Sequence, residues 1–279
     1  MNFTNIFSLY GKKALITGGA GYFGKLFVKG LLDFKIDEVI IVEKPGTGYE
    51  VRDALLKEFS GRISWYEVDL YDCQVTDITY DTILSEHKGI NILINNAFEF
   101  SPRTGFTADR SGIFETAMHE QLQFSFESGV WWAFQAIQKF GLEMKNQGAG
   151  SIINIASPMG VRAASPKQYE GFEHAPNPPG YGIAKAGLLA LTRYSATFLA
   201  PVRTNALSPG AIPNLSEEHH RAGKSYNDGF LDHLAERMAL GRNGRPEELV
   251  GPLIFLASDA SSYVTGHNLM VEGGWTIHL

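Results

Sequence analysis

The most constraining stretch of the chain is an apolar run, Ala14 to Thr17, that passes directly into Gly18-Gly19-Ala20-Gly21-Tyr22-Phe23-Gly24 and then into a helical pattern over Lys25 to Leu32. A buried strand that turns through glycines into a helix opens a βαβ unit and places a phosphate-sized ligand at the turn. Gly18 permits the tight turn, Gly21 lets backbone approach a pyrophosphate, and Gly24 lets the helix lie close to the sheet. The first amides of the helix then face the phosphates, where the helix dipole favours negative charge. Glycines also mark ordinary turns, so the reading rests on the strand, the helix and an acid at the right distance.

That acid is Glu43, at the end of the run Val39 to Val42 and nineteen residues after Gly24. A carboxylate there accepts hydrogen bonds from adenosine ribose hydroxyls and repels a 2′-phosphate, which favours NAD over NADP. Lys44 beside it keeps NADP open as a partner. Without the glycine loop, Glu43 would read as a solvated residue at a strand end.

The rhythm continues with Ile63 to Val68, Ile90 to Ile94, Ile152 to Ile155 and Leu269 to Val271, separated by helical stretches of which Glu115 to Lys145 and Tyr181 to Leu199 are the longest. Continuous apolar runs alternating with helices predict an α/β fold: a doubly wound parallel sheet with helices on both faces and ligands at the carboxyl ends of the strands. Trp131, Trp132, Phe134 and Phe140 on the first long helix read as packing residues. The 279 residues, 44% of them hydrophobic, suffice for one large core, and no repeat or linker divides residues 1–279, so a single domain is expected. Two segments break the rhythm. Ser165 to Gly180 holds four of the twelve prolines, and Pro213 to Asp228, within a substrate-side segment 213–240, is polar and follows an apparent strand. Both fall at the carboxyl edge of the sheet, so they are expected to contact substrate.

A net charge of -6 gives no concentrated positive field, which excludes nucleic acid and anionic membrane as main partners and favours a small molecule. Cys73 is the single cysteine, so neither an internal disulfide nor a thiol metal cluster is expected, and a reducing compartment follows. His219-His220 has no neighbouring acid or thiol set and reads as solvated loop, with no metal. No signal peptide is evident, and no apolar run approaches the roughly 20 residues that span a bilayer. A soluble, cytoplasmic protein is the expectation.

The chemistry-bearing residues follow the strands. Asp69, before Leu70, can accept from an adenine amino group or cap a helix. Asn95-Asn96-Ala97 can tie neighbouring loops together and leave room for a ribose. Ser157 follows Ile155, and Tyr181 and Lys185 stand at i and i+4, on one face of a helix. A tyrosine titrates near 10 when unperturbed, but an ammonium and a bound nicotinamide cation both favour its phenolate. Tyr181 can then exchange a proton with a carbonyl/alcohol pair while nicotinamide exchanges hydride, and Ser157 can fix the same oxygen.

Along nearly its whole length the chain resembles the short-chain dehydrogenases/reductases, which have a single-domain Rossmann fold. The resemblance is carried by Thr17 to Gly24, Asp69, Asn95 to Ala97, Ser157, Tyr181, Lys185, Asn205 to Gly210, Gly241 to Leu249 and Phe255 to Gly274. It implies that Tyr181 is the catalytic acid/base, that Ser157 orients the carbonyl, and that Lys185 binds the nicotinamide ribose and lowers the tyrosine pKa. Gly18, Gly21, Tyr22, Phe23, Gly24, Glu43, Asp69, Leu70, Asn96 and Ala97 would contact the cofactor, and Pro209, Gly210 and Ile212 would line the nicotinamide pocket. It also implies a homotetramer or dimer in which the two long helices pack against a neighbour's, with Trp131 and Trp132 at the interface.

Four departures stand out. The glycine spacing 18, 21, 24 is that of the longer, epimerase-like branch; the family's Asn-Asn-Ala-Gly ends here in Phe98; the position of its catalytic asparagine aligns with Phe126; and Ser157 and Tyr181 lie 24 residues apart because Ser165 to Gly180 is inserted. Ser125 or a main-chain carbonyl would then support Lys185 in place of the asparagine. The epimerase-like glycine loop, Ala156-Ser157-Pro158 after the fifth strand and an insert containing Tyr169-Glu170-Gly171 are together similar to oxidoreductases of bacterial pathways to legionaminic and related sialic-acid-like sugars. Lys167, Gln168, Tyr169, Glu170 and His174 of the insert suit a hydroxylated sugar. Two other functions fit a dinucleotide site: an NAD-retaining nucleotide-sugar epimerase or dehydratase, and a silent regulator. The chain's end five residues after Gly274 weighs against the first, the intact Ser, Tyr and Lys set against the second.

Overall fold

The computed structural model describes residues 5–277 except 108, 164, 173–175 and 216–227. Seven parallel strands form one sheet: β1 (Lys13–Thr17), β2 (Glu38–Glu43), β3 (Ile63–Glu67), β4 (Ile92–Asn95), β5 (Ser151–Ile155), β6 (Arg203–Pro209) and β7 (Asn268–Val271), in the order β3-β2-β1-β4-β5-β6-β7. Successive side chains of a strand point to opposite faces, and here both faces are covered. Ala14 and Ile16 of β1 join a core with Phe27 and Leu31 of α1 (Gly24–Asp33) and with Leu253 and Leu256 of α9 (Val250–Ala257). Leu15, between them, joins the opposite core with Tyr80 and Ile83 of α3 (Cys73–Glu86) and with Phe140. The doubly wound Rossmann fold expected from the apolar runs is therefore present, as a single domain.

The chain has one strand more than its six apolar runs. In β6 the buried Thr204, Asn205 and Ser208 are polar, and the loop before β7 together with the start of β7 satisfies the last two. Asn205 Nδ2 donates to the Val264 carbonyl at 2.8 Å and its Oδ1 accepts from His267 N, while Ser208 Oγ donates to Asn268 Oδ1 at 2.6 Å.

The first long helix is a composite of α4 (His119–Phe126), a π turn (Glu127–Trp131), α5 (Trp132–Ala136), a second π turn (Ile137–Gly141) and α6 (Leu142–Gln147). It starts later than the periodicity predicts because Met118 is extended and its N–H donates to Gln121 Oε1, a cap that sets the first turn. The second long helix, α7 (Pro179–Phe198), begins two residues early, with proline at its first position. Phe140 packs edge-on against Tyr80 at 5.0 Å and Trp132 against Tyr71 at 4.8 Å, whereas Trp131 stacks on Phe134 at the surface. The remaining helices are α2 (Tyr49–Glu58) and α8 (Asp228–Ala235). Among the described residues no helix is long and apolar enough to cross a membrane, and no group of three His, Cys, Asp or Glu is placed to hold a metal. His174, His219 and His220 lie outside the described residues. The strand order reverses between β1 and β4, whose last residues Thr17 and Asn95 are in register, and this switch point opens the crevice where ligands of such sheets bind.

Candidate active site

Gly18 leaves β1 with φ +68°, a left-handed conformation, and its N–H donates to the Val42 carbonyl at 2.8 Å. A Cβ on Gly24 would lie 2.1 Å from the Gly18 carbonyl oxygen, so only glycine lets α1 start this close to the turn. No side chain caps α1. The loop thus leaves a backbone cradle at a helix N-terminus, which fits the pyrophosphate of a dinucleotide. Glu43 is built into it: Oε2 accepts from Ala20 N at 2.8 Å and Oε1 from Lys44 N at 3.0 Å. Each oxygen keeps a further lone pair for a ribose hydroxyl, and the reading of Glu43 as a merely solvated strand end is set aside. Tyr22, whose ring lies 4.9 Å from that of Phe23, donates its hydroxyl to the Pro213 carbonyl at 2.7 Å, joining the glycine loop to the segment after β6.

Asn96 secures the same loop, donating its side-chain amide to Thr17 O at 3.2 Å and Gly18 O at 2.8 Å, while Ala97 N donates to Thr17 Oγ1. Asn95 turns the other way and donates to Asn154 Oδ1, whose amide donates to Thr192 Oγ1, a buried polar link from β4 through β5 to α7. Asp69 does not cap α3. That role falls to Asp72, which accepts from Gln74 N and Val75 N, whereas Asp69 accepts from Tyr71 N and Leu70 is buried in the second core. Pro209 ends β6; Gly210 N donates to Val271 O, and Ile212 borders a small cavity with Met238 and Val271.

β5 delivers Ser157 to the crevice, and the first turns of α7 deliver Tyr181 and, one turn on, Lys185. Burial pushes the Tyr181 phenol upward, and its hydrogen bond with Ser157 pulls it back in part. The Ser157 hydroxyl oxygen also accepts from Met159 N at 3.2 Å. Lys185 is only 4% exposed and donates to the Ile155 carbonyl at 2.8 Å. Burial pushes its pKa from the ordinary 10.5 down to about 7. The protein alone therefore does not lower the tyrosine as the sequence predicts, because the lysine meant to do so is itself desolvated.

A feature with little signal in the sequence, beyond the phenylalanines of the run Phe98-Glu99-Phe100, is an aromatic wall. The rings of Phe98, Phe106 and Phe100 stand 5.3, 5.6 and 5.8 Å from that of Tyr181. The insert meets α8: Tyr169 and Phe172 lie 5.8 and 5.2 Å from the Phe230 ring, and Phe172 lies 5.0 Å from His233. Of the insert's polar residues, Gln168 and Tyr169 are buried and Lys167 and Glu170 are exposed.

A family model described as enoyl-(acyl carrier protein) reductase matches residues 38–276. The chain belongs to the short-chain dehydrogenase/reductase family. It is 30% identical over 272 residues to the 2-dehydro-3-deoxy-D-gluconate 5-dehydrogenase of Escherichia coli (strain K12), covering 96% of this chain and 97% of the relative. A gluconate 5-dehydrogenase from Burkholderia cenocepacia J2315, solved in complex with NADP and tartrate, superposes with a TM-score of 0.82 at 25% identity over 100% of both chains. A short-chain dehydrogenase from Leptospira borgpetersenii serovar Hardjo-bovis, solved with bound NAD+, gives a TM-score of 0.79 at 29% identity over 99% of this chain and 96% of that one. As a short-chain dehydrogenase/reductase the protein is an oxidoreductase of alcohol and keto groups that uses a nicotinamide dinucleotide.

Within this short-chain dehydrogenase/reductase the departures have physical counterparts. Phe98 fits because position 129, in the first π turn, is glycine: a Cβ there would lie 2.7 Å from Ala184 Cβ and 3.1 Å from the Phe98 ring. The Lys185 ammonium sits 4.9 Å from the centre of the Phe98 ring. Phe126, at the aligned asparagine position, is 54% exposed, and the Ser125 hydroxyl donates to the Thr104 carbonyl. The support Lys185 has in the structure is the main-chain carbonyl of Ile155.

The burial of Lys185 has a consequence for stability. Between about 7 and the ordinary 10.5 the unfolded chain holds a proton that the folded protein does not, so this group's contribution to stability rises with pH across that window. In the cofactor-free protein, the Tm of the wild type relative to that of Lys185→Met is expected to rise from about pH 7 to about pH 10. A pH-independent Tm difference would contradict it.

Proposed function

We propose that the protein is an NAD(H)-dependent oxidoreductase of hydroxylated, sugar-like alcohols and ketones. The observation that carries this reading is the convergence of Ser157, Tyr181 and Lys185 beside the switch-point crevice. When bound, the nicotinamide supplies and accepts hydride. Gly18 to Gly24 hold the pyrophosphate, with Tyr22 and Phe23 at the start of α1; Glu43 holds the adenosine ribose; Asp69 and Leu70 flank the adenine; Asn96 and Ala97 shape the ribose edge; and Pro209, Gly210 and Ile212 line the nicotinamide side. Tyr181 gives its phenol proton to the carbonyl oxygen in reduction and takes it back in oxidation. Ser157 hydrogen-bonds that oxygen and holds it in line. Lys185 binds the nicotinamide ribose, and its ammonium favours the phenolate once that ribose faces it.

Glu43 supports NAD, because a carboxylate at the end of β2, bonded into the glycine loop, would repel a 2′-phosphate. Glu43→Ala is expected to weaken NADH binding by about tenfold or more and NADPH binding far less, read by fluorescence titration. An equal effect on both would remove Glu43 as the selector. Sugar-like substrates are supported by the gluconate 5-dehydrogenase likenesses. The test is a screen of sugar acids, polyols and acyl ketones with each cofactor, followed by the absorbance of reduced nicotinamide. Turnover confined to acyl ketones would overturn the substrate class.

The reading extends to a homo-oligomer, dimer or tetramer. Met118, Leu122, Phe126 and Trp131 form an exposed apolar stripe on the first long helix, and Tyr194 and Phe198 are exposed on α7, which packs beside α4. Two copies pairing these helices would cover both. A single-protomer mass by light scattering would contradict this.

A further inference from the structure

We propose that Phe98 is a positioning residue for Lys185, the face of its ring holding the ammonium in place beside the Tyr181 phenol. The inference rests on the reading of Tyr181 and Lys185 as the catalytic pair.

Phe98 follows Asn95-Asn96-Ala97, at the position where the family's motif has glycine, so this ring belongs to the chain and not to the motif. Lys185 is 4% exposed and donates to the Ile155 carbonyl at 2.8 Å. Among the described residues no carboxylate pairs with it, and burial alone moves its pKa, downward. Glu99, next to Phe98, bonds Tyr71 and Ser101, and Glu127 of the first π turn faces Arg103 and Asp69. From α7 and β5 the titratable neighbours are Tyr181 and, bonded to it, Ser157. The face of an aromatic ring is the negative part of its quadrupole, and a cation over it recovers part of what burial costs. The ammonium lies over the Phe98 ring, 4.9 Å from its centre, and 5.8 Å from the centre of the Tyr181 ring. Such attraction acts within about 6 Å, so Phe98 is the stronger partner of the two.

The ring is wedged between neighbours. Its centre stands 4.9 Å from that of Phe100 and 5.3 Å from that of Tyr181, both edge-on. Two of its carbons lie 3.1 and 3.4 Å from where a Cβ on Gly129 would be, and that Cβ would be 2.7 Å from the Cβ of Ala184, the residue before Lys185. Glycine at 129 thus lets the ring and the Lys185 turn of α7 pack together. An ammonium kept there favours the Tyr181 phenolate, and a neutral amine does not.

Mono-, di- and trifluorophenylalanine at position 98 keep the shape of the ring and withdraw electron density from its face in steps, whereas Phe98→Leu removes the face. The first measurement, on cofactor-free protein, is the Tm of each form relative to its Lys185→Met counterpart across pH. The ring stabilises the ammonium of the folded protein, so weakening it lowers the folded pKa, and the rise of that difference starts at lower pH. The start is expected to move down with each added fluorine, and by about one pH unit in Phe98→Leu. The second measurement is the pH profile of kcat for ketone reduction at saturating NADH, whose alkaline limb is expected to move down in the same order. A start that stays at the wild-type pH, or that moves in Phe98→Leu but not with fluorine, overturns the inference, because packing then accounts for Phe98. An alkaline limb that does not follow the series overturns it as well, and each of these results leaves the reading of Tyr181 standing. Wild-type turnover in both Tyr181→Phe and Lys185→Met overturns the functional reading, and the inference falls with it.

Discussion

Tyr181→Phe is expected to lower kcat by about 10²–10⁴-fold, the range for loss of a positioned general acid/base, while NADH affinity stays within a few-fold. The separation follows from geometry. The substitution removes one oxygen from a ring already bordered by Phe98, Phe100 and Phe106, so the site keeps its shape, and Lys185 keeps its bond to the Ile155 carbonyl. What is lost is the proton and the partner of Ser157. Stopped-flow reduction with a saturating ketone separates kcat from binding, and retained turnover would remove Tyr181 from the reaction.

Gly24→Ala is expected to have the largest effect on cofactor binding. The new methyl would lie 2.1 Å from the Gly18 carbonyl oxygen and 2.9 Å from the Gly19 main chain. The turn cannot simply retreat, since Gly18 N is bonded to Val42 O and Gly18 O accepts from Asn96. Either α1 moves off the sheet or the turn opens, and both displace the amides that would face a pyrophosphate. Overpacking of this kind costs roughly 1–3 kcal/mol, a Tm lower by about 2–10 °C for a domain of this size. NADH affinity is expected to fall at least tenfold, to be read by titration beside the thermal melt. Wild-type Tm and affinity together would show that the cradle tolerates a side chain and is not the binding site.

Much of the fold was legible because both faces of the sheet are covered. β1 and β2 read as unbroken apolar runs and β4 and β5 as runs broken by a single asparagine, and Glu43 could be placed by its distance from the glycines. β6 shows only as an apparent strand because its apolar run is interrupted by buried polar residues, of which Asn205 bonds Val264 and His267 and Ser208 bonds Asn268. The onset of the first long helix depends on one side chain, Gln121, that periodicity does not weigh. At the site, Ser157, Tyr181 and Lys185 were visible from spacing and residue type. The inward turn of Tyr169 and the outward turn of Lys167 and Glu170 were not, because an irregular segment has no period to assign its faces. Phe106 reaches Tyr181 through the long loop after β4, a contact between residues far apart in the chain. The surroundings of Lys185 likewise rest on contacts distant in the chain: its ammonium lies 4.9 Å from the centre of the Phe98 ring, and a Cβ at position 129 would lie 3.1 Å from that ring.

On this reading hydride passes between nicotinamide and substrate carbon with the proton handled at Tyr181. The most direct measurement is reduction of 2-hydroxycyclohexanone with NADH deuterated at the transferring position, followed by mass spectrometry of the product. One deuterium at the new carbinol carbon for each NADH consumed is the predicted result. Conversion of the substrate without net consumption of NADH, as an epimerase that retains its cofactor would give, would contradict it.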